Sequence, residues 1–142
     1  MPSRRTDPLL RVDAFQVLIG DREIGFSEVT PLTSETDLES PGHQVHRLAP
    51  VILRRALGTS TELFDWRQAI VSGKDDRRDV TVRQLSASGG AVVNAWRLVR
   101  AWPSRWSGPA FDAMRAGIAH EEIELTYDDL VWLDRRSRNA GG

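Results

Sequence analysis

The chain has 142 residues, a formal net charge of −1 from 19 Lys and Arg against 20 Asp and Glu, and no cysteine. This length fits one domain, 1–142, with a single core, and the lack of cysteine excludes disulfides, thiolate nucleophiles and Cys-ligated zinc. The balanced charge argues against sequence-specific nucleic-acid binding and against a membrane surface. No apolar run reaches the ~18 residues of a membrane span, and no secretory signal is visible, so we expect synthesis in the cytoplasm.

Before the helix, the predicted elements are mostly short strands, each an apolar run with alternation of period two. These strands are residues 14–19, 24–29, 32–38 and 51–57. The first stops at Gly20-Asp21, a turn pair. Residues 39–46 contain Pro41-Gly42, so they are predicted to form an exposed loop.

One helix is predicted, over residues 60–72. Thr59 and Glu62 have the spacing of a capping box, so loss of the Thr59 hydroxyl should cost about 1 kcal/mol. Gly73 stands where a left-handed C-terminal cap belongs. The apolar face, which we expect to pack within the subunit, consists of Leu63, Trp66 and Ile70.

The second half of the chain again reads as strands, with turn residues between them. The predicted segments are strands 79–85 and 91–102 around Gly89-Gly90, a Trp- and Pro-containing connection 103–109, and strands 117–127 and 130–133. Together these segments predict an α+β, mainly β fold, a small antiparallel β-barrel or sandwich with one flanking helix. Its core covers about residues 13–133, with flexible ends at 1–12 and 134–142.

No motif for a metal or a cofactor is present. His43 and His46 lie in the predicted loop without the partner residues of a metal site, and Gly89-Gly90 is a turn, not a phosphate-binding loop. The five tryptophans, with arginines between them, could indicate stacking on single-stranded nucleic acid. Because the overall charge is balanced, packing in the core or at an interface is the better explanation.

The last long strand has two different faces. His120, Glu122 and Glu124 share one face, while Glu121 lies on the other with apolar residues. This alternation is typical of a strand with one dry and one wet face. A hydrolase using Glu121 or Glu122 as an acid or base is a remote alternative, because neighbouring residues of a strand point in opposite directions.

The order and spacing of several segments resemble the tail-tube protein family of contractile phages and phage-derived injection systems. The most specific part is Ala101-Trp102-Pro103-Ser104-Arg105-Trp106, followed by Gly108-Pro109. The other matching segments are residues 15–20, 24–29, 51–57, 63–66, 77–82 and 121–127. Ala56 departs from the glycine usual in the family, and the loop 39–46 is short compared with the inter-subunit arm of these tubes.

The resemblance implies a non-enzymatic structural subunit without cofactors. Such proteins close into hexameric rings that stack into a hollow inner tube for cargo or DNA, with sheath, baseplate and tube-end proteins as partners. They are assembled in the cytoplasm into a virion or an injection particle that can be released. For this chain we expect His120, Glu122 and Glu124 to face the lumen. The main alternative is a monomeric small-ligand-binding β-barrel, which requires an interior pocket with a few polar groups.

Overall fold

The computed structural model describes residues 10–88 and 90–133, without the side chains of Glu39 and Ser40. Most of the two predicted flexible ends, and Gly89 of the predicted glycine turn, lie outside the described residues. The elements within them are β1 Phe15–Ile19, β2 Arg22–Ile24, β3 Glu28–Val29, β4 Ser34–Ser40, β5 His43–Leu48, β6 Val51–Ala56, α1 Glu62–Val71, β7 Arg78–Leu85, β8 Val92–Ser107, β9 His120–Thr126 and β10 Asp129–Trp132.

The larger sheet contains eight strands in the order β2-β1-β7-β8-β9-β6-β3, with β10 also paired to β8. All its described pairings are antiparallel. The predicted α+β, mainly β class with one helix is confirmed. The sheet is not closed into a barrel, because β2 and β3 stand at the two ends of this order without pairing to each other.

Strand β8 joins the two halves of this sheet. Its first part pairs with β7 and β10, and its second part pairs with β9. Between the parts, Arg100 adopts φ 53°, an unusual value for a residue with a side chain. The carboxylate of Asp79 accepts from the backbone N–H of Arg100 at 3.0 Å, and Asp128 accepts from its Nε at 3.1 Å, so both stabilise the bend.

The predicted connection over residues 103–109 is wrong, because β8 continues to Ser107. Pro103 is fully buried and lies opposite Leu125, and the register shifts between Pro103 and Arg105. A proline lacks the N–H of a regular ladder, but an irregularity of this kind tolerates it. The strand therefore runs through a residue that ordinarily indicates a strand end.

The predicted exposed loop over residues 39–46 is also wrong. β4 and β5 pair with each other as a two-stranded hairpin, and Gly42 supplies a positive φ of 79° at the turn. Arg47 forms a salt bridge with Asp37 at 3.0 Å, and Thr36 and His46 are hydrogen-bonded at 2.9 Å. Both strands are largely polar and exposed. The first, β4, overlaps the predicted strand 32–38, whereas β5 lacks the dry face from which a strand is predicted.

The predicted single strand 24–29 is divided. β2 ends at Ile24 and pairs with β1, whereas β3 begins at Glu28 and pairs with β6 at the other end of the sheet. The residues between them, 25–27, carry the chain from one sheet end to the other.

The helix packs its predicted apolar face inward. Leu63 and Trp66 are buried, Ile70 is half-buried, and the Trp66 ring N–H donates to the Asp76 carbonyl at 2.7 Å. The C-terminal cap is confirmed, since Gly73 has φ 90° and its N–H donates to the Ile70 carbonyl at 3.0 Å. The N–H of the next residue donates to the Ala69 carbonyl at 3.0 Å, which completes the motif.

The predicted capping box at the helix start is wrong. The N-cap is Thr61, and no side chain caps the first turn from that position. The Glu62 carboxylate instead contacts Arg55 at 2.9 Å and Arg22 at 3.0 Å. The helix is therefore anchored by tertiary salt bridges, and Thr59→Ala has no capping bond to remove.

Candidate functional site

The two predicted faces of β9 are confirmed. Glu121, Ile123 and Leu125 are buried, and the intervening residues are half-buried on the opposite side. The antiparallel register with β6 continues both faces across the sheet, because residues directly opposite each other point the same way. The sheet thus has an apolar side that packs on the core and a polar side.

We define the polar face as the charged side chains and the histidine on this outer side. Its members are Glu28, Arg54, Arg105, His120, Glu122 and Glu124. Glu28 lies opposite Arg54 and Arg54 opposite Glu122, so one row runs across β3, β6 and β9. The face carries two arginines and three glutamates, so charges of opposite sign are interspersed.

The contacts of the polar face are an ion pair with a long separation and a hydrogen bond between residues close in the sequence. Arg54 Nε and Glu122 Oε1 are 3.5 Å apart, and both side chains are partly exposed. His120 Nδ1 donates to the Ile118 carbonyl at 2.9 Å, in the loop before its own strand. The side chains of the polar face therefore remain accessible to solvent.

A buried charge cluster lies directly behind the polar face. The Glu121 carboxylate accepts from Arg55 Nε at 2.8 Å through one oxygen and from Trp106 Nε1 at 2.9 Å through the other. Arg55 Nη1 also donates to Glu62 at 2.9 Å. Among the described residues, no buried side-chain nitrogen or oxygen lacks a partner.

Arg55 connects this cluster electrostatically. Burial disfavours its charged form, but the hydrogen bonds and charges of Glu121 and Glu62 outweigh that effect, so the pKa of Arg55 is raised. The sequence indicated that Glu121 points to the dry side, but not its partners Arg55 and Trp106. The sequence did contain a signal for this contact. Arg54-Arg55 and Glu121-Glu122 are adjacent pairs on two strands, and an arginine lies opposite a glutamate whichever way the two pairs are matched.

Acid–base catalysis at Glu121 or Glu122 has no support in this geometry. The two side chains lie on opposite faces of β9, and both Glu121 oxygens are occupied. Within residues 10–88 and 90–133, no group of three or more His, Asp or Glu could hold a metal ion.

The described core is filled with apolar side chains rather than with the convergent polar groups of a small-ligand-binding barrel. Leu53, Leu98, Ile123 and Leu125 have no exposed surface and pack against one another in the core. Grooves on the described part of the molecule include one beside the loop 108–119, one between β1, β3 and β10, and one between the β1–β2 turn and the helix. No helix of the described residues is long and apolar enough to cross a membrane.

Comparison with known proteins identifies relatives over almost the whole chain. The family model of T4-like virus tail tube protein gp19 matches residues 13–131. No curated protein matches at a significant level. Because the family match covers far more than half of the chain, it agrees with the resemblance carried by the sequence segments.

Solved structures show the same fold. A chain of the PVC sheath-tube complex, an extracellular contractile injection system in its extended state, is 24% identical with a TM-score of 0.73, covering 94% of this chain and 97% of that one. A chain of the PVC sheath/tube terminator is 25% identical with a TM-score of 0.72, covering 90% and 99%. Hcp1 from Flavobacterium johnsoniae is 18% identical with a TM-score of 0.63, covering 84% and 94%.

These findings confirm the predicted resemblance and describe tube proteins rather than enzymes. The open antiparallel sheet, its single flanking helix and the family match over residues 13–131 agree with one another. The chain belongs to the family of T4-like virus tail tube protein gp19.

Proposed function

We propose that this chain is a structural, non-enzymatic subunit of the inner tube of a contractile phage tail or a phage-tail-like injection system. Its copies would form hexameric rings that stack into a hollow tube through which cargo or DNA passes. The observation that carries the proposal is the open sheet with its polar face. In the half formed by β3, β6, β9 and the second part of β8, each end has an edge that no other strand of the described residues pairs with. Family membership supports the same function.

The two edges are β3 and the second part of β8. Within residues 10–88 and 90–133, β3 pairs only with β6, and beyond Ala101 no strand pairs with β8 on the side away from β9. Arg67 covers one carbonyl there, donating to Pro103 at 3.2 Å. Unpaired edges promote association with other chains, and closing copies into a ring would cover them.

The polar face would then line the lumen, with His120, Glu122 and Glu124 exposed to the channel. The helix packs on the opposite, apolar side of the sheet, so it would lie toward the outside of the ring. A wall with interspersed charges of both signs would bind a polyanion weakly, because strong binding of nucleic acid needs a concentration of positive charge. Weak binding to the wall would allow a polyanion to move along the tube.

The partners follow from the same assembly. Sheath, tube-end and baseplate proteins would contact the tube, and the similar chains come from a sheath-tube complex and a sheath/tube terminator. The particle would be assembled in the cytoplasm after synthesis there and could be released from the cell.

Negative-stain microscopy of the concentrated, purified chain tests the proposal directly. We expect rings or stacked tubes with a central channel. Particles that remain monomeric at every concentration, with or without the sheath and baseplate proteins, would contradict it.

The lumen assignment has its own test, since the chain has no native cysteine. Single variants Glu122→Cys and Glu124→Cys are treated with a bulky maleimide in capped tubes and in dissociated subunits. We expect modification only after dissociation, whereas the control Gln68→Cys, exposed on the helix, should react in both states. Equal reaction of all three in capped tubes would place the polar face outside.

A further inference from the structure

Helix α1 covers part of the unpaired edge of β8. We call this the β8 edge, the side of residues 102–107 that faces away from β9. The rings of Phe64 and Trp106 meet edge to face, with their centroids 5.0 Å apart. Arg67 Nη1 donates to the Pro103 carbonyl at 3.2 Å. Because Phe64 and Arg67 are three positions apart, they lie on the same face of the helix, which therefore contacts the strand at two points.

The Pro103 carbonyl points out of the sheet at this edge. Ser104 Oγ donates to the Glu124 carbonyl at 3.3 Å, so the backbone polar groups of Glu124 face β8. Because these groups alternate in direction along a strand, those of Leu125 face β6. Pro103 lies opposite Leu125, so this pair is not hydrogen-bonded and the Pro103 carbonyl is directed away from β9. A strand added at the β8 edge would use this carbonyl as an acceptor.

Three features at this position are typical of an edge that is protected against pairing. Pro103 has no N–H to offer to a partner strand. The positively charged Arg67 occupies the carbonyl of the same residue, and helix α1 packs against the strand. Proline, positive side chains and covering helices are means by which natural proteins keep sheet edges from associating. The β8 edge is therefore less available for pairing than its lack of a neighbouring strand indicates.

The contact made by Arg67 is nevertheless weak enough to be displaced. Its 3.2 Å separation is at the long end of the range for an N–H···O hydrogen bond. The guanidinium forms no salt bridge within residues 10–88 and 90–133. The helix itself is anchored by the buried side chains of Leu63 and Trp66. The Arg67 side chain can therefore move while the helix stays in place.

We propose that Arg67 keeps the β8 edge closed in the free subunit and is displaced when β3 of a second copy pairs there. A backbone N–H of the incoming strand then donates to the Pro103 carbonyl in place of the guanidinium. The contact is autoinhibitory, because it opposes association of free subunits through this edge. This inference rests on the proposed function, since ring closure supplies the strand that displaces Arg67.

The first test compares Arg67→Met with Gln68→Met, a matched control at the exposed neighbouring position of the helix. The methionine keeps an apolar stem but has no donor. The measurement is the lowest protein concentration at which rings or tubes form, followed by light scattering and microscopy. We expect this concentration to fall at least about threefold in Arg67→Met, because a typical hydrogen bond changes an equilibrium by this factor or more. The control should match the wild type, and an equal or higher value in Arg67→Met would overturn the inference.

A second control separates loss of the contact from loss of stability. Ile70→Ala shortens a half-buried side chain on the same helix, so it destabilises the subunit and leaves the bond from Arg67 to Pro103 in place. We expect the assembly concentration of Ile70→Ala to be no lower than that of the wild type. If Ile70→Ala lowers it as much as Arg67→Met does, destabilisation alone explains the effect and the inference is wrong.

Hydrogen exchange at the backbone amide of Trp106 shows whether copies join at this edge. Trp106 lies opposite Ile123, two positions from Leu125, so by the same alternation its N–H points out of the β8 edge. We expect this amide to exchange at least about tenfold more slowly in rings than in free subunits, because pairing protects it from solvent. Rings with unchanged exchange would overturn the inference and leave the tube function intact. A wild-type chain that forms neither rings nor tubes, even with the sheath and baseplate proteins, would overturn both.

Discussion

Arg55–Glu121 and Arg54–Glu122 join the same two strands at neighbouring positions, but they lie on opposite faces of the sheet. In the inner pair the side chains are 14% and 1% exposed and the closest atoms are 2.8 Å apart. In the outer pair the side chains are 40% and 38% exposed and the separation is 3.5 Å. Two ion pairs of identical composition therefore occupy very different environments.

Both pairs consist of an arginine and a glutamate, so their different structural roles come from burial and not from the kind of residue. A buried carboxylate without partners would be strongly unfavourable, so Glu121 needs Arg55 and Trp106. A shift of one residue in the pairing of β6 with β9 would separate Glu121 from Arg55 and would move the Glu122 side chain to the buried face of the sheet. The inner pair thus specifies the register, whereas the outer pair contributes charge to the polar face.

Glu121→Ala should have the largest effect. It leaves the half-buried Arg55 with Glu62 as its remaining carboxylate partner. Removing one member of a pair that includes a buried charge costs about 3 kcal/mol. The measurement is the free energy of unfolding in urea, at concentrations too low for association, with Glu122→Ala as the matched control. Equal losses for the two variants would show that burial does not distinguish the pairs.

Trp106→Phe should have an intermediate effect. It removes the N–H that donates to Glu121 at 2.9 Å but keeps an aromatic ring beside Phe64. Losing a hydrogen bond to a buried charged group costs about 1–3 kcal/mol. Trp102→Phe, on the same strand, is the control, because its ring N–H donates to no side chain or carbonyl in the described part of the chain. If both variants lose the same unfolding free energy, the bond to Glu121 has no stabilising role.

The inner and outer pairs also show which features of the site could be predicted from the sequence and which could not. The faces of β9 follow from alternation, so the buried position of Glu121 was predicted. Its partner Arg55 lies 66 positions away, and the pairing depends on strand register, which local patterns do not contain. The same limit applies to Glu62, whose capping role was predicted from local spacing and is replaced by contacts with Arg22 and Arg55 of two strands.

Other differences have local physical causes. Gly73 was interpreted correctly because a positive φ at a helix end depends on one residue. The hairpin β4–β5 was missed because β5 is exposed and has no apolar face, so it was assigned to a loop, although β4 overlaps the predicted strand 32–38. The end of β8 was misplaced because Pro103 ordinarily interrupts a ladder, and the bend at Arg100 and the shift of register after Pro103 accommodate it.

The smallest effect is expected for the outer pair, and salt dependence isolates it. Glu122→Ala should lower the free energy of unfolding by less than about 1 kcal/mol, because solvent competes with a partly exposed pair. At roughly 1 M salt the Debye length falls to about 3 Å, so the difference between this variant and the wild type should shrink toward zero. The loss in Glu121→Ala should persist under the same conditions, since a buried pair is screened much less. A salt-independent loss in Glu122→Ala would mean that Arg54 and Glu122 are held more rigidly than their 3.5 Å separation indicates.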